Sequence, residues 1–503
     1  MVHTGWILAI GSIFAFLNAF AVGANLLANV WGPVLGAKVV KYRTAVLIAI
    51  AGQVVGIVIF GPRTASVYNG ILYDWTKLKH YPELTLYAMA WAEVTLVTWQ
   101  YLAIWKQVLI PVYLGAVAST IGAAFVFPGV GDIDGGTSLS APPFLSGLGP
   151  VFLIWLVAPT LTLTLVILLF LMMRTYVMRG EDPFHKVLWV MPALSCFAAI
   201  IWTADLFYAV GSAQGLQVIT WSPQGVVVLL LAVGTASCIV TCLLIPRMMD
   251  RLKTRGPSVL PIKRINLLGL DEVTLRELAA DDRSSDMRGW LQRTHAWLFG
   301  IDIFASVASD DALLRIHSTA EEFEGAAEEL LVWPQIITCT IISIAYGANN
   351  ARTSVGMFTL MYHIHSTGTV TGTAPISTAL RGVGAVGMSL GTLLCGYRLA
   401  PVTGAQIAKL TPFRSYVVTL MTALSLTIMS LLKFKGGTIT YAVPTAVAAV
   451  GLVEGSSHVN WKKVFSLLVW WIVGFAVVMG STSLVIAQGI YAPSAVSTAA
   501  STD

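Results

Sequence analysis

Apolar residues in this chain gather in long runs, not in the short alternation of a strand or the one-sided stripe of a soluble helix. Counting runs long enough to span about 30 Å of hydrocarbon predicts about twelve transmembrane helices. They lie near Trp6 to Val30, Thr44 to Phe60, Leu84 to Trp105, Val108 to Phe127, Gly149 to Met173, Val187 to Val210 and Val226 to Ile245, then Trp333 to Tyr362, Ile376 to Tyr397, Tyr416 to Leu432, Ile439 to Val453 and Val464 to Ile486. A polar insert, 246–329, separates the two groups. It opens on the basic, Pro/Gly-broken RMMDRLKTRGPSVLPIKR and ends on the acidic, helix-patterned SDDALLRIHSTAEEFEGAAEEL. The expected organisation is a first transmembrane half (1–245), a soluble central loop, a second half (330–490) and a polar tail (491–503), all of it an all-α polytopic membrane protein. The long apolar run from Trp6 has no small-residue cleavage site and is read as a helix that targets the chain itself.

Two of these runs carry the same polar interruption. GANLLANVWG (Gly23 to Gly32) and GANNARTSVG (Gly347 to Gly356) share Gly-Ala-Asn and a second glycine at equal spacing, and Gly56, Gly61, Arg63, Ala65 and Val67 recur in order as Gly391, Gly396, Arg398, Ala400 and Val402. Lipid satisfies no carboxamide, and Gly and Asn weaken a helix, so the pattern predicts helices broken at both motifs. Small residues also serve helix packing, and an asparagine can hydrogen-bond across packed helices. Paired interruptions at corresponding positions are the mark of a secondary transporter whose substrate sits between repeats.

Loop charge sets the orientation. Arg247, Arg251, Lys253, Arg255, Lys263 and Arg264 put the central loop in the cytoplasm. Counting crossings back and forward from it puts both termini outside and the two motif-bearing segments in opposite directions, so the halves are expected to be inverted repeats. Arg63, Lys77, Lys79, Lys433 and Lys435 fall on the opposite side from the rule.

Composition narrows the classes. Of 503 residues, 56% are hydrophobic and 11% charged, against about 25% charged in soluble domains. The net charge of +5 is read as positive cytoplasmic loops rather than affinity for nucleic acid. Cys196, Cys238, Cys242, Cys339 and Cys395 lie in apolar runs without zinc or disulfide spacing and are read as packing residues. With no Walker loop, metal-ligand spacing or nucleophile elbow, the chain is expected to be neither an enzyme nor a cofactor carrier.

The stretch GANLLANVWGPVLGAKVV resembles the GANDVANxxGxxVGSKxx signature of the inorganic phosphate transporter family, the sodium- or proton-coupled phosphate permeases. TASVYNGIL, IWLVAPTLTLTL, the second signature SIAYGANNARTSVG and LGTLLCGYRLAPVTGAQIAKLTPFRSY follow in the family's order. The resemblance implies a carrier of inorganic phosphate. The expected binding residues are Asn25, Asn29, Asn349, Asn350, Arg352, Thr353, Ser354 and Thr445, with Gln53 and Glu93 as coupling-ion candidates. It leaves sodium or protons open as the driving ion, and with them a homodimer and a plasma-membrane location. A non-transporting phosphate sensor, or a carrier of another oxyanion such as sulfate, remains the competing expectation.

The chain departs from that pattern in one direction. Leu26 and Asn350 replace the two signature aspartates that the family uses for sodium. Gln53 replaces a glutamate, as Thr419 does in the tenth segment, and the family's PVSTTH reads PVYLGA from Pro111 and AVPTAV around Thr445. Each change removes charge or coordinating oxygen. Arg352 adds a cation where the family has alanine, either to face phosphate or to snorkel away from it. Glu93, between Trp91 and Trp99, is a candidate proton relay, whereas Asp205, Glu454, His363 and His365 are read as interfacial.

Overall fold

The computed structural model describes residues 4–62, 64–66, 78–127, 149–210, 223–255, 303–432 and 439–499. All of the predicted apolar runs are helical. In chain order the helices are α1 (Gly5–Gly36), α2 (Tyr42–Phe60), α3 (Pro82–Trp105), α4 (Val112–Ala124), α5 (Gly149–Met173), α6 (Pro183–Ala204) and α7 (Pro223–Arg255). Three short helices, α8 (Ala305–Ala308), α9 (Asp311–Thr319) and α10 (Gly325–Glu329), lead into α11 (Val332–Thr367). Then come α12 (Thr378–Gly404), α13 (Pro412–Leu431), α14 (Ile439–Glu454) and α15 (Trp461–Ala499). One antiparallel ribbon departs from an all-helical fold: β1 (Thr64–Ser66) pairs with β2 (Thr373–Pro375), Thr64 opposite Pro375 and Ser66 opposite Thr373.

Among the described residues nine helices are long and apolar enough to cross a membrane. Of the other three predicted crossings, α4 and α14 are apolar but shorter. The third, α3, is long but diluted by Glu83, Glu93, Gln100 and its threonines. Most of the central loop, the end of TASVYNGIL, and the wrong-side charges Arg63, Lys77, Lys433 and Lys435 lie outside the described residues.

The helices are not broken at the Gly-Ala-Asn motifs, contrary to the sequence expectation. The second copy lies inside α11, which is unbroken over 36 residues. In α1 the departure comes after the motif, as a π-helical turn at Leu27–Trp31. It ends beside Pro33, which has no N–H to give the carbonyl of Asn29.

The glycines serve helix approach. A side chain on Gly23 would strike the backbone carbonyl of Met388 on α12, and one on Gly391 would strike that of Phe20 on α1. On the other side, Gly347 meets the carbonyl of Gln53 on α2, and Gly56 meets that of Ile344 on α11. The two sets correspond position by position. Gln53 stands to Gly56 as Met388 stands to Gly391, and Phe20 to Gly23 as Ile344 to Gly347. Each motif helix is thus pressed against the second helix of the other half. Tyr346 locks the two motifs together by donating from its hydroxyl to the Val22 carbonyl at 2.8 Å.

Where the central segment returns to the bundle it is stitched to several helix ends. Glu321 receives Nε of Arg174 at 2.7 Å and, from Arg179, Nε at 2.7 Å and NH2 at 3.0 Å. Its own carbonyl accepts from Arg414 NH2 at 2.7 Å, while Arg414, 1% exposed, pairs with Glu454 at the end of α14. The Phe323 ring lies under the Arg414 guanidinium and meets Phe413 edge-to-face, and His317 bonds the Ala405 carbonyl at 2.9 Å. Burial pushes the Glu321 carboxyl up, but the hydrogen bonds and charges of Arg179 and Arg174 outweigh it and hold it below the usual glutamate range.

Gly23→Val and Gly347→Val each force a close helix pair apart and should cost at least about 1–3 kcal/mol, read as a lower melting temperature in detergent. Because the Glu321 value is depressed, its contribution is complete above the unfolded glutamate value of about 4.3 and is lost as pH falls through the lower folded value. Hydrogen exchange should therefore show 303–324 loosening below that pH before the helical bundle does, and no such pH dependence in Glu321→Gln, where the segment is already loose at neutral pH.

Candidate functional site

The π turn of α1 turns Asn29 into the bundle. Its Nδ2 donates to Thr440 Oγ1 on α14 at 3.2 Å, and its Oδ1, buried, has no hydrogen-bond partner. Asn25, a turn earlier, donates back to the Ala21 carbonyl at 3.1 Å, and its buried Oδ1 likewise has no partner. Gln53, fully buried on α2, gives its amide to Thr392 Oγ1 at 3.0 Å, and that hydroxyl lies 2.9 Å from the carbonyl of Gly23. A neutral network therefore occupies the region where the resemblance implies a carboxylate. Leu26 is buried in the same core with nothing to offer an ion.

The second motif spreads its groups around α11. Asn349 is exposed; Asn350 is half-buried and donates to the Tyr346 carbonyl at 2.9 Å. Ser354 is buried and bonds the Ala351 carbonyl at 3.1 Å, and Thr445 on α14 bonds the Tyr441 carbonyl at 2.8 Å. Arg352 is half-buried with a partnerless Nε, and its Cγ passes over Gly356. The antiparallel run of α1 beside α11 fixes the levels. Trp31 bonds Ser343, Val22 accepts from Tyr346, and Asn18 bonds the Thr353 carbonyl. Gly23 is thus brought to one depth with the start of the second motif, Asn29 lies below it near the level of Cys339 and Ser343, and Arg352 and Thr353 stand above it, level with Asn18.

At that upper level lies a second polar cluster. Glu93 of α3, 2% exposed, accepts from Asn18 Nδ2 at 2.7 Å, the same nitrogen lies 3.1 Å from the Thr353 carbonyl, and Gln100 Nε2 donates to Asn18 Oδ1 at 3.1 Å. Gln100 Oε1 has no partner. Three helices thus meet at one buried carboxyl whose partner is an amide, not a cation. Asn18, Gln100, Thr392 and Thr440 were not singled out from sequence. The signal was present for the first of them, since Asn18, Asn25 and Asn29 fall a heptad and then a turn apart, on one helix face.

The remaining residues named from sequence are placed as follows. Asp205 opens a π-helical turn, Asp205–Val210, packed against α11 and α13, and it is 1% exposed with both carboxyl oxygens partnerless, so it is enclosed by the bundle. Glu454 is the partner of Arg414. His365 meets Thr4 Oγ1 at 3.1 Å. Thr419 bonds the Tyr416 carbonyl, and Pro111 caps the start of α4. Among the described residues no group of three or more His, Cys, Asp or Glu side chains could hold a metal ion.

Long apolar helices enclosing a core of amides, hydroxyls and isolated carboxyls define an integral, multi-pass membrane protein. The sequence profile of the phosphate transporter family matches residues 22–481, and the chain belongs to that family. A Pyrococcus horikoshii protein assigned as a phosphate permease is 22% identical over 92% of this chain and 92% of its own. The phosphate-repressible phosphate permease of Neurospora crassa is 22% identical over 93% of this chain and 94% of its own. A solved structure titled as the sodium-dependent phosphate transporter has the same fold, with a TM-score of 0.67 and 20% identity, covering 95% of this chain and 98% of that one.

Replacing Asn18 with leucine removes the donor shared by the Glu93 carboxyl and the Thr353 carbonyl. Leaving buried acceptors unpaired should cost about 1–3 kcal/mol, measured by thermal unfolding in detergent, and Glu93→Leu in the same background should recover part of the loss.

Proposed function

We propose that this chain is a secondary transporter of inorganic phosphate, not an enzyme. In this reading about twelve spans form two inverted repeats, 1–245 and 330–490, with the 246–329 loop in the cytoplasm, the 491–503 tail outside, and the plasma membrane as its location. The observation that carries it is the reciprocal seating of the two motif helices, Gly23 on α12 and Gly347 on α2, in a chain that belongs to the phosphate transporter family. Equivalent contacts made twice, with the partners exchanged between halves, are what a two-fold in the membrane plane produces. A homodimer is compatible with this arrangement and is not needed for it.

Phosphate takes a path lined by Asn25, Asn29, Asn349, Asn350, Thr353, Ser354 and Thr445. The partnerless carboxamide oxygens of Asn25 and Asn29 can accept from the O–H of a protonated phosphate, and their nitrogens, held by the Ala21 carbonyl and Thr440, are donors it can borrow as it passes. A dehydrated phosphate requires positive charge nearby. With Leu26, Asn350 and Gln53 in the ion-binding positions, the chain supplies that charge itself, through Arg352, and Glu93 carries the coupling proton in the amide cluster it shares with Asn18.

Uptake of labelled phosphate into liposomes should therefore persist when choline replaces sodium. A steep loss in choline would show a sodium site built from other oxygens and would rule out Arg352 as the charge that compensates phosphate. Arg352→Ala should weaken phosphate binding far more than Asn29→Ala, by about 3 kcal/mol or more against about 1, because a charge pair is lost in the first and a neutral hydrogen bond in the second. Binding without uptake would identify a sensor, and sulfate outcompeting phosphate would identify a different oxyanion as substrate.

A further inference from the structure

The end of the bundle remote from the central segment carries two arginines that, among the described residues, meet no acid. Arg381, near the start of α12, donates from NH1 to the Val58 carbonyl at 2.9 Å and from NH2 to Thr378 Oγ1 at 3.1 Å, while its Nε is buried without a partner. Arg352 on α11 has a partnerless buried Nε as well. Its stem lies over Gly356, one turn nearer the same end, so the absence of a side chain there lets the arginine run outward along the helix. Among the described residues neither arginine enters a salt bridge, whereas Arg174, Arg179 and Arg414 at the opposite end all do.

Helix contacts bring the two to one junction. Just past the end of α2, Gly61 faces the Ala351 side chain, the residue before Arg352, and the Val58 carbonyl held by Arg381 belongs to the last turn of the same α2. Gly384, one turn along α12 from Arg381, lies against Val355 and Ser354 of α11. The β1–β2 ribbon packs over this part of α11. The start of α12 adds the positive end of a 27-residue helix, with its N-cap Ser377 accepting from Leu380 N–H at 3.2 Å.

Two half-buried guanidinium groups with no counter-charge among the described residues lose hydration without compensation, and an anion shared by them relieves that penalty. The forked donors of arginine match the edge of a tetrahedral oxyanion. We infer that the junction of α2, α11 and α12 is a capture site for inorganic phosphate, built by Arg381 and Arg352 and distinct from the amide-lined path along α1, whose Asn29 lies deeper in the bundle. The ligand's identity rests on the proposed transport function. That function puts this end outside, where the site concentrates phosphate before it enters the path. A phosphate group could reach the site from solution or from a lipid headgroup, and the inference commits to solution.

The test is labelled phosphate uptake in liposomes holding the full chain in one known orientation. Arg381→Gln should raise KM from the side of this junction by about tenfold or more, with kcat changed by no more than about twofold, and should flatten the rise of KM with ionic strength. KM measured from the opposite side should not move. Arg381→Lys should recover only part of the loss, and Arg381→Gln with Arg352→Gln should be less than multiplicative, since both act on one ligand. An equal rise on both sides, or none on either, overturns the site. An effect that appears only when anionic lipid is present, and vanishes in phosphatidylcholine alone, overturns it in favour of a headgroup. Should the unaltered chain take up no phosphate, the transport reading fails by itself. Equilibrium binding of labelled phosphate to the purified protein then decides the site: about tenfold weaker binding in Arg381→Gln sustains it, and unchanged binding overturns it.

Discussion

The closeness of two helix pairs, α1 with α12 and α2 with α11, is the constraint on which the rest of this structure depends. In lipid there is no gain from merely hiding apolar surface between helices, so association rests on packing and on hydrogen bonds that need backbones close together. Four glycines provide that closeness, each standing against a carbonyl of the facing helix. Once the backbones are that near, side chains reach carbonyls that would otherwise be remote. Tyr346 bonds Val22 and Thr403 bonds the Ala28 carbonyl at 2.6 Å, while the Thr392 hydroxyl stands within reach of Gly23. The polar core is therefore a consequence of the glycine contacts and not a separate device.

That dependence explains why the motif glycines were legible and their purpose was not. Sequence reading found the repeated motif, the order of the apolar runs and the polar insert, since each is written in local composition. It expected broken helices because Gly and Asn weaken an isolated helix. A helix held on several sides by tertiary contact is decided by packing instead, and α11 stays whole through Gly347. The one real irregularity in α1 was written at Pro33, a residue whose lost N–H is felt at Asn29.

The candidate site was legible in part for the same reason. Asn29, Gln53 and Glu93 stand out in apolar runs and do lie in buried polar networks. Their partners Thr440, Thr392 and Asn18 are short side chains from distant helices, and no local spacing joins them. The enclosure of Asp205 was not legible, because the π turn that carries it into the contact between α11 and α13 has no local signature. Arg381 was passed over because a charge near a helix start is ordinary at a membrane edge, and its missing acid is visible only in three dimensions.

Three arginines at one end of the bundle are neutralised by acids, and two at the other are not. At the end where the central segment returns, Arg174, Arg179 and Arg414 are consumed by Glu321 and Glu454, and Arg414 is further covered by Phe323. Such paired, partly buried charges hold helix ends together and offer little to a passing anion, because an arriving oxyanion would have to displace a carboxylate already in place. At the other end Arg352 and Arg381 satisfy themselves with backbone, a threonine hydroxyl or nothing. An anion arriving there displaces no resident charge. Between these ends Asn25, Asn29 and Gln53 offer only neutral amides already engaged with Ala21, Thr440 and Thr392, so in the proposed transport reading an oxyanion passing them exchanges hydrogen bonds worth about 1 kcal/mol each and meets no fixed charge that would hold it.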